Sequence, residues 1–455
     1  MLKIFLKNSL IYTVGHTLTS GIAIFLLPIY TRYLSPAEYG VIDMFMVIAA
    51  IINLTIALEI TQGIARYYQD GKDEKEKREY TSSAFWLFED VNKKNIFLLA
   101  VFAITTNGIF HFTQKQLRWQ IQPKNSVKTG LVNVIVAASL TVYLMVVREF
   151  KVEGIFIGQI GGNITASLVA IIYARKSYGF TFCTSKFKKM VSYSMPLVLS
   201  GIGVFIALYI DRIAIKDLLG LEKLGIYGVA YRFAGVAFLV MAGFQQSLSP
   251  LVFKYYKEKK TPYDISKIFN IFVIFSLSVV AGAILFSKEL VMLFTTKAYY
   301  SSVGIIPTLV MAVFFSNMYI FAPGISIAKK SKLIAVISII AAIMNAILNY
   351  ALIPVLGLSG AAYATLISAV SAFSLYIIFS YKYYPIPYQV KPILLSFVIA
   401  LVSSYGVASI FDKIEFVSII AKIICLLVVL MSTSFFLLEK KYLQKIKLKL
   451  KMKRK

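Results

Sequence analysis

Apolar stretches of about 20 residues recur along this chain of 455 residues, and short polar segments separate them. At about 1.5 Å per residue, a helix of that length crosses a bilayer hydrocarbon core of about 30 Å. The pattern predicts thirteen spans, at residues 9–30, 41–61, 95–117, 128–149, 154–174, 191–215, 225–248, 267–286, 304–327, 333–353, 359–380, 392–411 and 416–438. With 58% hydrophobic residues and a mean hydropathy of +0.76, the chain is predicted to be an all-α polytopic membrane protein.

Basic residues alternate between the two sides of the membrane. Of the 48 Lys and Arg residues, 34 lie at the N-terminus, in every second segment between spans and in the C-terminal tail, whereas ten lie in the opposite segments. The positive-inside rule then predicts a bacterial plasma-membrane protein with both termini in the cytoplasm. The net charge of +27 is explained by this topology and by attraction to anionic membrane lipids, so a nucleic-acid partner is disfavoured.

One segment breaks the alternation of charge. Residues 62–80 and 118–128 are both strongly basic, yet only one full apolar stretch, 95–117, separates them. The remaining apolar piece, 81–88, would be about 12 Å long as a helix and is too short to span. Restoring one crossing there gives fourteen spans and brings every later segment into agreement with the charge rule. We therefore interpret 81–88 as a truncated third helix.

Several kinds of chemistry find no support in the sequence. The two cysteines, Cys183 and Cys425, and the two histidines, His16 and His111, offer neither a disulfide framework nor the spacing of metal ligands. There is no GxxxxGK[ST] phosphate-binding loop, so no ATP hydrolysis by this chain alone and no cofactor is predicted. The longest outside segment, 287–303, is short, so an enzyme would need its site within the membrane.

The chain contains a weak internal repeat. A shift of 180 positions pairs Ser20, Gly21, Ile22, Phe25 and Arg32 with Ser200, Gly201, Ile202, Phe205 and Arg212, and after a five-residue insertion Gly40 pairs with Gly225. Parallel repeats related by an axis along the membrane normal are a common plan of transporters, with the substrate site at the repeat interface. The prediction is two six-helix lobes, 1–175 and 176–380, two additional helices at 381–438 and a basic cytoplasmic tail at 439–455.

Polar residues follow one face of each of the first two spans. The first carries His16 between Tyr12 and Thr19, and the second carries Thr55, Glu59, Gln62 and Arg66. Charge inside a membrane is costly and usually faces protein or water, so these faces are predicted to line a cavity. His16 and Glu59 could pair, either for proton coupling or as a structural hydrogen bond. Asn345 and Asn349, one turn apart, are interpreted as a helix–helix contact.

A second set of candidates is basic. Arg32 and the repeat-equivalent Arg212 lie at outer helix ends, and Arg232 lies deeper, beside Tyr231. Together with Lys216, on the same face as Tyr209 and Arg212, they could form a positive patch suited to a diphosphate. Two alternatives remain: the arginines extend to lipid headgroups, or Asp43 and Asp211 neutralise them. Lys115 and Lys422, near span ends, are expected to extend to the headgroups.

Four motifs resemble Wzx-type polysaccharide flippases, in the polysaccharide-transporter branch of the multidrug/oligosaccharidyl-lipid/polysaccharide exporter superfamily: LPIYTRYLSPAEYG, QLRWQIQPK, YIDRIAIKDLLGLEKLGIYGVAYRF and FAPGISIAKKSK. The resemblance implies a two-lobed fold of fourteen helices that moves undecaprenyl-diphosphate-linked oligosaccharide from the inner to the outer leaflet for O-antigen, capsule or exopolysaccharide assembly. It also implies a cationic cavity, onto which Arg32, Arg212 and Arg232 map. A polysaccharide polymerase and the chain-length machinery are the expected protein partners. The truncated third helix departs from the family pattern.

Three other functions share part of this evidence. A multidrug exporter of the same superfamily would favour an acidic cavity for cationic drugs, whereas arginines equal or outnumber acids here. A lipid II flippase would share both the fold and the basic cavity. A membrane-embedded glycan polymerase, the enzyme alternative, would usually need a larger outside segment than any in this chain. The sequence therefore favours a flippase that works by alternating access and does no covalent chemistry.

Overall fold

The computed structural model describes residues 26–55, 95–120, 122–179, 183–328 and 330–438. Within these ranges every regular element is a helix. The predicted truncated helix at 81–88 and the predicted coupling residues His16, Glu59, Gln62 and Arg66 lie outside them. The predicted all-α class is confirmed by the described residues, while the total of fourteen spans stays a prediction.

The α-helices of the described ranges are numbered in chain order. They are α1 (Leu27–Tyr33), α2 (Pro36–Thr55), α3 (Asn95–Trp119), α4 (Pro123–Val147), α5 (Val152–Tyr173), α6 (Thr184–Tyr255), α7 (Thr261–Phe294), α8 (Ile306–Asn317), α9 (Gly324–Ile327), α10 (Ser331–Leu356), α11 (Leu358–Tyr383), α12 (Val390–Ile410) and α13 (Phe416–Leu437). Short 3₁₀ helices occupy Arg175–Ser177, Lys297–Ile305 and Met318–Phe321.

Eight helical segments of the described residues are long and apolar enough to cross a membrane. They are Pro123–Val147, Val152–Tyr173, Thr261–Phe294, Lys297–Ile327, Lys332–Leu356, Leu358–Tyr383, Val390–Ile410 and Phe416–Leu437. Each overlaps a span predicted from the hydropathy pattern. The chain is thus a multi-pass membrane protein, as its apolar periodicity predicts.

The break between α1 and α2 is fixed by the motif Ser-Pro-Ala-Glu. The Ser35 hydroxyl accepts from the Glu38 backbone N–H at 3.3 Å, and the Glu38 carboxylate accepts from the Ser35 N–H at 2.8 Å. This reciprocal capping box satisfies two backbone donors that the start of a helix leaves without partners. Pro36, at the first helical position, has no N–H to satisfy. The motif that supports the family resemblance is therefore also a helix-start signal.

A single glycine bends α6. Gly220 has φ 86° and ψ 177°, a conformation that is essentially restricted to glycine because a Cβ atom would clash with the backbone. The bend falls between the predicted spans 191–215 and 225–248, so the two spans are joined by a kink rather than by a long loop. The bend lets α6 reverse direction on the side of the membrane that the charge pattern assigns to the outside.

The chain divides into two compact units, Met1–Gly228 and Val229–Lys455, and the division falls within α6. In the first unit α3, α4 and α5 pack together, and the Asn133 side-chain amide donates to Asn163 Oδ1 at 2.9 Å across α4 and α5. In the second unit α10 and α11 form an antiparallel pair, in which Asn345 donates to Ser368 Oγ at 2.9 Å. The predicted helix–helix role of Asn345 is confirmed, whereas the Asn349 amide donates to the Asn345 carbonyl oxygen within α10 at 2.9 Å. The lobe boundaries predicted from the repeat stay a prediction.

Lys422, expected to extend to the headgroups, behaves differently. Its side chain is only 2% exposed, and its amine pairs with the Glu289 carboxylate, so α13 is joined to α7. The neighbouring pair, Lys288 with Asp412 at 2.7 Å, joins α7 to the segment between α12 and α13. The expectation for Lys422 was wrong because hydropathy locates a lysine near a span end but does not tell which helix faces it.

Candidate functional site

Two glycines allow α2 and α6 to touch backbone to backbone. A Cβ atom on Gly40 would lie 2.0 Å from the Leu221 carbonyl oxygen, and one on Gly225 would lie 1.8 Å from the Pro36 carbonyl oxygen. The contact is reciprocal, because each glycine meets the residue four positions before the other. Such reciprocity is the mark of a two-fold relationship between the two segments. The helix crossing therefore joins the two glycines that the internal repeat pairs in the sequence.

Beside the helix crossing lies a buried cluster of charged and phenolic groups, which we call the acid–arginine cluster: Asp43 on α2, and Asp211, Arg212 and Tyr227 on α6. The Arg212 guanidinium lies 3.2 Å from Asp211 Oδ1 and 3.5 Å from Asp43 Oδ2. The Tyr227 hydroxyl donates to Asp211 Oδ2 at 2.6 Å. None of these four residues is more than 8% exposed.

A third glycine makes room for one carboxylate of the cluster. A Cβ atom on Gly228 would lie 2.7 Å from Asp43 Oδ2, which is too close for two non-bonded atoms. Any larger residue at this position would push the Asp43 carboxylate away from the guanidinium. The spacing Gly225–Gly228 on α6 therefore provides both the close approach of the helices and the space for the ion pair.

Among the residues that the structure describes, two carboxylates of the cluster pair with one guanidinium. Tyr209 and Tyr227 place their rings 5.5 Å and 6.0 Å from the guanidinium carbon, which adds cation–π stabilisation to the ion pairs. Buried charges are tolerated when they are paired and hydrogen-bonded, and removing one partner is costly. In this arrangement Arg212 is committed to protein groups. The two ion pairs engage Nε and Nη1 of the guanidinium.

The other predicted basic residues lie in different surroundings. Arg32 is exposed in the last turn of α1. Lys216 is also exposed, and its amine lies 3.1 Å from Asp217 rather than in the cluster. Tyr231 and Arg232 are half-buried on the part of α6 that belongs to the second unit. The structure therefore brings together Asp43, Asp211 and Arg212 of the predicted set, as the neutralisation alternative expects.

Tyr227 is the member of the cluster that sequence reasoning missed. It is fully buried, and its hydroxyl orients the carboxylate that holds Arg212. The sequence offered a weak signal, since Tyr227 lies between two closely spaced glycines, Gly225 and Gly228. Among the residues that the structure describes, no group of three or more His, Cys, Asp or Glu side chains is arranged to hold a metal ion.

Solved transporter structures share this fold. The lipid II flippase MurJ in an inward closed conformation superimposes with a TM-score of 0.72 at 17% identity, covering 94% of this chain and 98% of that one. An inward-facing multidrug resistance MATE family transporter gives a TM-score of 0.65 at 14% identity, covering 83% of this chain and 97% of that one. The second structure is described as a member of the MOP superfamily. The fold is therefore that of this superfamily of membrane transporters.

The family follows from sequence comparison. The family described as polysaccharide biosynthesis protein matches residues 5–121 and 80–256, which together cover more than half of the chain. A Shigella flexneri protein named "Putative O-antigen transporter" is 22% identical over 392 residues, covering 78% of this chain and 93% of that protein. The chain belongs to the polysaccharide biosynthesis protein family, and its resemblance to the Wzx-type polysaccharide flippases is confirmed.

Proposed function

We propose that this protein moves undecaprenyl-diphosphate-linked oligosaccharide repeat units from the inner to the outer leaflet of the bacterial plasma membrane. The observation that carries the proposal is a buried arginine, held by two carboxylates, at the crossing of repeat-related helices. A guanidinium with exchangeable anionic partners is suited to a diphosphate, which it can contact with two parallel hydrogen bonds. The family and the S. flexneri relative support a polysaccharide cargo.

The mechanism is an exchange of partners at Arg212 and involves no covalent step. In the described arrangement Asp43 and Asp211 hold the guanidinium beside the close contact of α2 and α6. A diphosphate brings more negative charge than one carboxylate and competes for the same donors. When Arg212 turns to the diphosphate, its ion pair with Asp43 on α2 is lost. The helices α2 and α6 can then separate. After the cargo leaves, the ion pair forms again and the crossing closes.

The remaining predicted residues take supporting roles in this proposal. Arg32, Lys216, Tyr231 and Arg232 are assigned transient contacts with the anionic part of the cargo during transport. His16, Glu59, Gln62 and Arg66 form the polar faces through which an ion could be coupled to transport. The lipid tail stays in the bilayer, both termini are cytoplasmic, and the outer-leaflet product passes to a polysaccharide polymerase and the chain-length machinery.

Complementation tests the cargo. The chain is expressed in a strain that lacks its own repeat-unit flippase, and surface polysaccharide is measured beside membrane levels of the protein. A second variant, in which a full-length helix replaces residues 81–88, separates the cargo from the effect of the truncation. Surface glycan from either chain supports the proposal. Its absence from both, with protein present in the membrane, contradicts it.

The same strain tests the partner exchange. Arg212→Gln is expected to lower surface glycan about 30-fold or more, because a buried charge pair loses its positive member. Arg212→Lys should give surface glycan between that of Arg212→Gln and that of the wild type, since an ammonium group lacks the planar fork that contacts two oxygens. Lys413→Gln, on an exposed outside segment, is the control and should export normally. Normal export by Arg212→Gln would contradict the exchange.

Lipid II is a second candidate cargo, favoured by the fold shared with the lipid II flippase MurJ. A lipid II flippase and a repeat-unit flippase would use the same diphosphate chemistry and differ in the sugars that they accept. Growth of cells depleted of their own lipid II flippase distinguishes the two. Rescue of growth without surface polysaccharide in the first strain would favour lipid II.

A further inference from the structure

An apolar groove of about 530 Å³ lies within the second unit, between α7, α8, α11 and α12. Its floor is buried: Phe269, Phe272, Leu277 and Val280 on α7 are at most 6% exposed. Its rim is open to the side, because Ile378 on α11 and the α12 residues Val390 and Leu394 are between 58% and 63% exposed. In a membrane protein such a rim faces lipid, so the groove is accessible from the bilayer.

The groove offers no polar side chain to a ligand. The hydroxyls of Ser276, Ser374 and Tyr388, which line it, donate to the backbone carbonyls of Phe272, Val370 and Phe321. The side chains around them are aliphatic, aromatic or methionine. A ligand group that needs hydrogen bonds would lose its hydration there without replacement. The groove therefore suits hydrocarbon.

The length of the groove matches one leaflet. On α7 the lining runs from Phe269 to Val280, which is about 16 Å of helix and about half of a 30 Å hydrocarbon core. Phe269 lies eight residues into α7, next to the predicted cytoplasmic segment 249–267, and Val390 lies at the start of α12. The charge pattern assigns both ends to the cytoplasmic side, so the groove lies in the inner leaflet. One phospholipid acyl chain spans that depth, whereas an eleven-isoprene chain is much longer than a leaflet.

Two lysines stand at the cytoplasmic end of the groove. Lys382 follows the lining residue Ile378 by four positions on α11, and Lys391 precedes the lining residue Leu394 by three on α12. Residues three or four apart share a helix face, so each lysine lies one turn beyond the rim. Both are exposed, and neither has an ion-pair partner in the described ranges. Basic groups between transmembrane helices on the cytoplasmic side bind anionic lipid headgroups.

We propose that this groove is a binding site for one anionic glycerophospholipid of the inner leaflet. One acyl chain occupies the groove, and the phosphate of the headgroup lies between Lys382 and Lys391. The site is contained in the second unit and is separate from the acid–arginine cluster. It requires that the protein spans the membrane in the predicted orientation, and it does not depend on which cargo is carried.

Native mass spectrometry of the full-length protein in detergent tests the site. Phosphatidylglycerol and phosphatidylcholine with the same acyl chains are titrated separately. The wild type is expected to bind one phosphatidylglycerol with clear preference over phosphatidylcholine. The variant K382Q/K391Q should lose about 30-fold in affinity for phosphatidylglycerol, because two basic contacts to the phosphate are removed. Lys413→Gln, on the opposite side of the membrane, should bind as the wild type does.

A matched pair of substitutions on α12 tests the groove itself. Leu394 and Leu395 are adjacent and exposed by 58% and 46%, but only Leu394 lines the groove. Leu394→Trp should fill the groove and abolish the bound lipid, whereas Leu395→Trp should not. Equal binding by the two variants, or equal binding of the two lipids by the wild type, would overturn the proposal. Displacement of phosphatidylglycerol by undecaprenyl diphosphate would also overturn it, since the groove would then belong to the cargo.

Discussion

Arg32 and Arg212 are paired by the internal repeat, yet their surroundings differ. Arg32 is exposed at the end of α1 and follows Thr31, whose hydroxyl donates to the Leu27 carbonyl at 2.9 Å. Arg212 is buried and follows Asp211, which pairs with its guanidinium. One repeat thus leaves its arginine at the surface, and the other holds it between carboxylates.

The second difference lies across the helix crossing. If Gly40 is paired with Gly225, then Asp43 corresponds to Gly228, and these two residues face each other. The backbone crossing is symmetric, but the charges are not. A carboxylate at both positions would place two negative charges in one small space, so the symmetric arrangement is excluded by repulsion as well as by volume. The two repeats thus share the backbone contact at their glycines but differ in the charged residues beside it.

The largest expected effect concerns the close backbone contact between α2 and α6. Gly225→Ala places a Cβ atom 1.8 Å from the Pro36 carbonyl oxygen, so the two backbones must move apart. We expect a loss of about 3 kcal/mol in the free energy of unfolding, the upper end for overpacking. Gly235→Ala, where a Cβ atom meets nothing within 4 Å, is the control for thermal unfolding in detergent. Equal melting temperatures for the two variants would show that the crossing is not a tight contact.

The next effect separates the two arginines. Arg212→Gln removes the guanidinium that pairs with two buried carboxylates and should cost roughly 3 kcal/mol of stability, whereas exposed Arg32→Gln should cost less than about 0.5 kcal/mol. Adding Asp43→Asn to Arg212→Gln should recover part of the loss, because one uncompensated charge disappears. Thermal unfolding of the wild type, Arg212→Gln, Asp43→Asn and the double variant measures this coupling. Additive losses would mean that Asp43 and Arg212 do not interact.

A smaller effect is expected from the hydroxyl that sequence reasoning missed. Tyr227→Phe removes the donor to Asp211 and keeps the ring beside Arg212. A hydrogen bond to a charged group contributes about 1.5–3 kcal/mol, so the melting temperature should fall, but less than for Arg212→Gln. Tyr143→Phe, which removes a hydroxyl from an exposed tyrosine of α4, is the control. No change in Tyr227→Phe would contradict the orienting role of the hydroxyl.

A small effect is expected from an exposed ion pair at the start of α2. Glu38 and Lys151 lie 2.9 Å apart with side chains 28% and 61% exposed, so Lys151→Gln should cost less than about 1 kcal/mol. Burial alone would raise the pKa of Glu38, but hydrogen bonds from Ser35 and Lys151 outweigh it and lower the pKa overall. A carboxyl with a lowered folded pKa contributes stability that is lost as pH falls below its ordinary value of 4.5.

Thermal unfolding between pH 3 and pH 7 measures this contribution. The difference in melting temperature between wild type and Lys151→Gln should be present at neutral pH and should shrink toward the acid end. A difference that grows as pH falls would mean that Glu38 is not held in its charged form.

The sequence by itself determined the class of this protein. In hydrocarbon every backbone polar group must be paired within the segment, so apolar stretches of about 20 residues can only be helices. The repeat pairing of Gly40 with Gly225, the adjacency of Asp211 and Arg212 and the helix-start signal at Ser35 are all readable from residue types and spacing. These features are local, or depend on the comparison of two segments of the same chain.

Only the tertiary structure decided which side chains meet. Asp43 and Arg212 are separated by 169 positions, and Glu289 and Lys422 by 133, and hydropathy sets the length of each helix but not its rotation or its neighbours. The same applies to the groove, whose lining comes from four helices that look alike in composition. Many arrangements of the helices are compatible with the apolar periodicity, because an apolar helix face can pack equally well against lipid or against another helix. Close backbone contact at glycines and the pairing of buried charges select one of them.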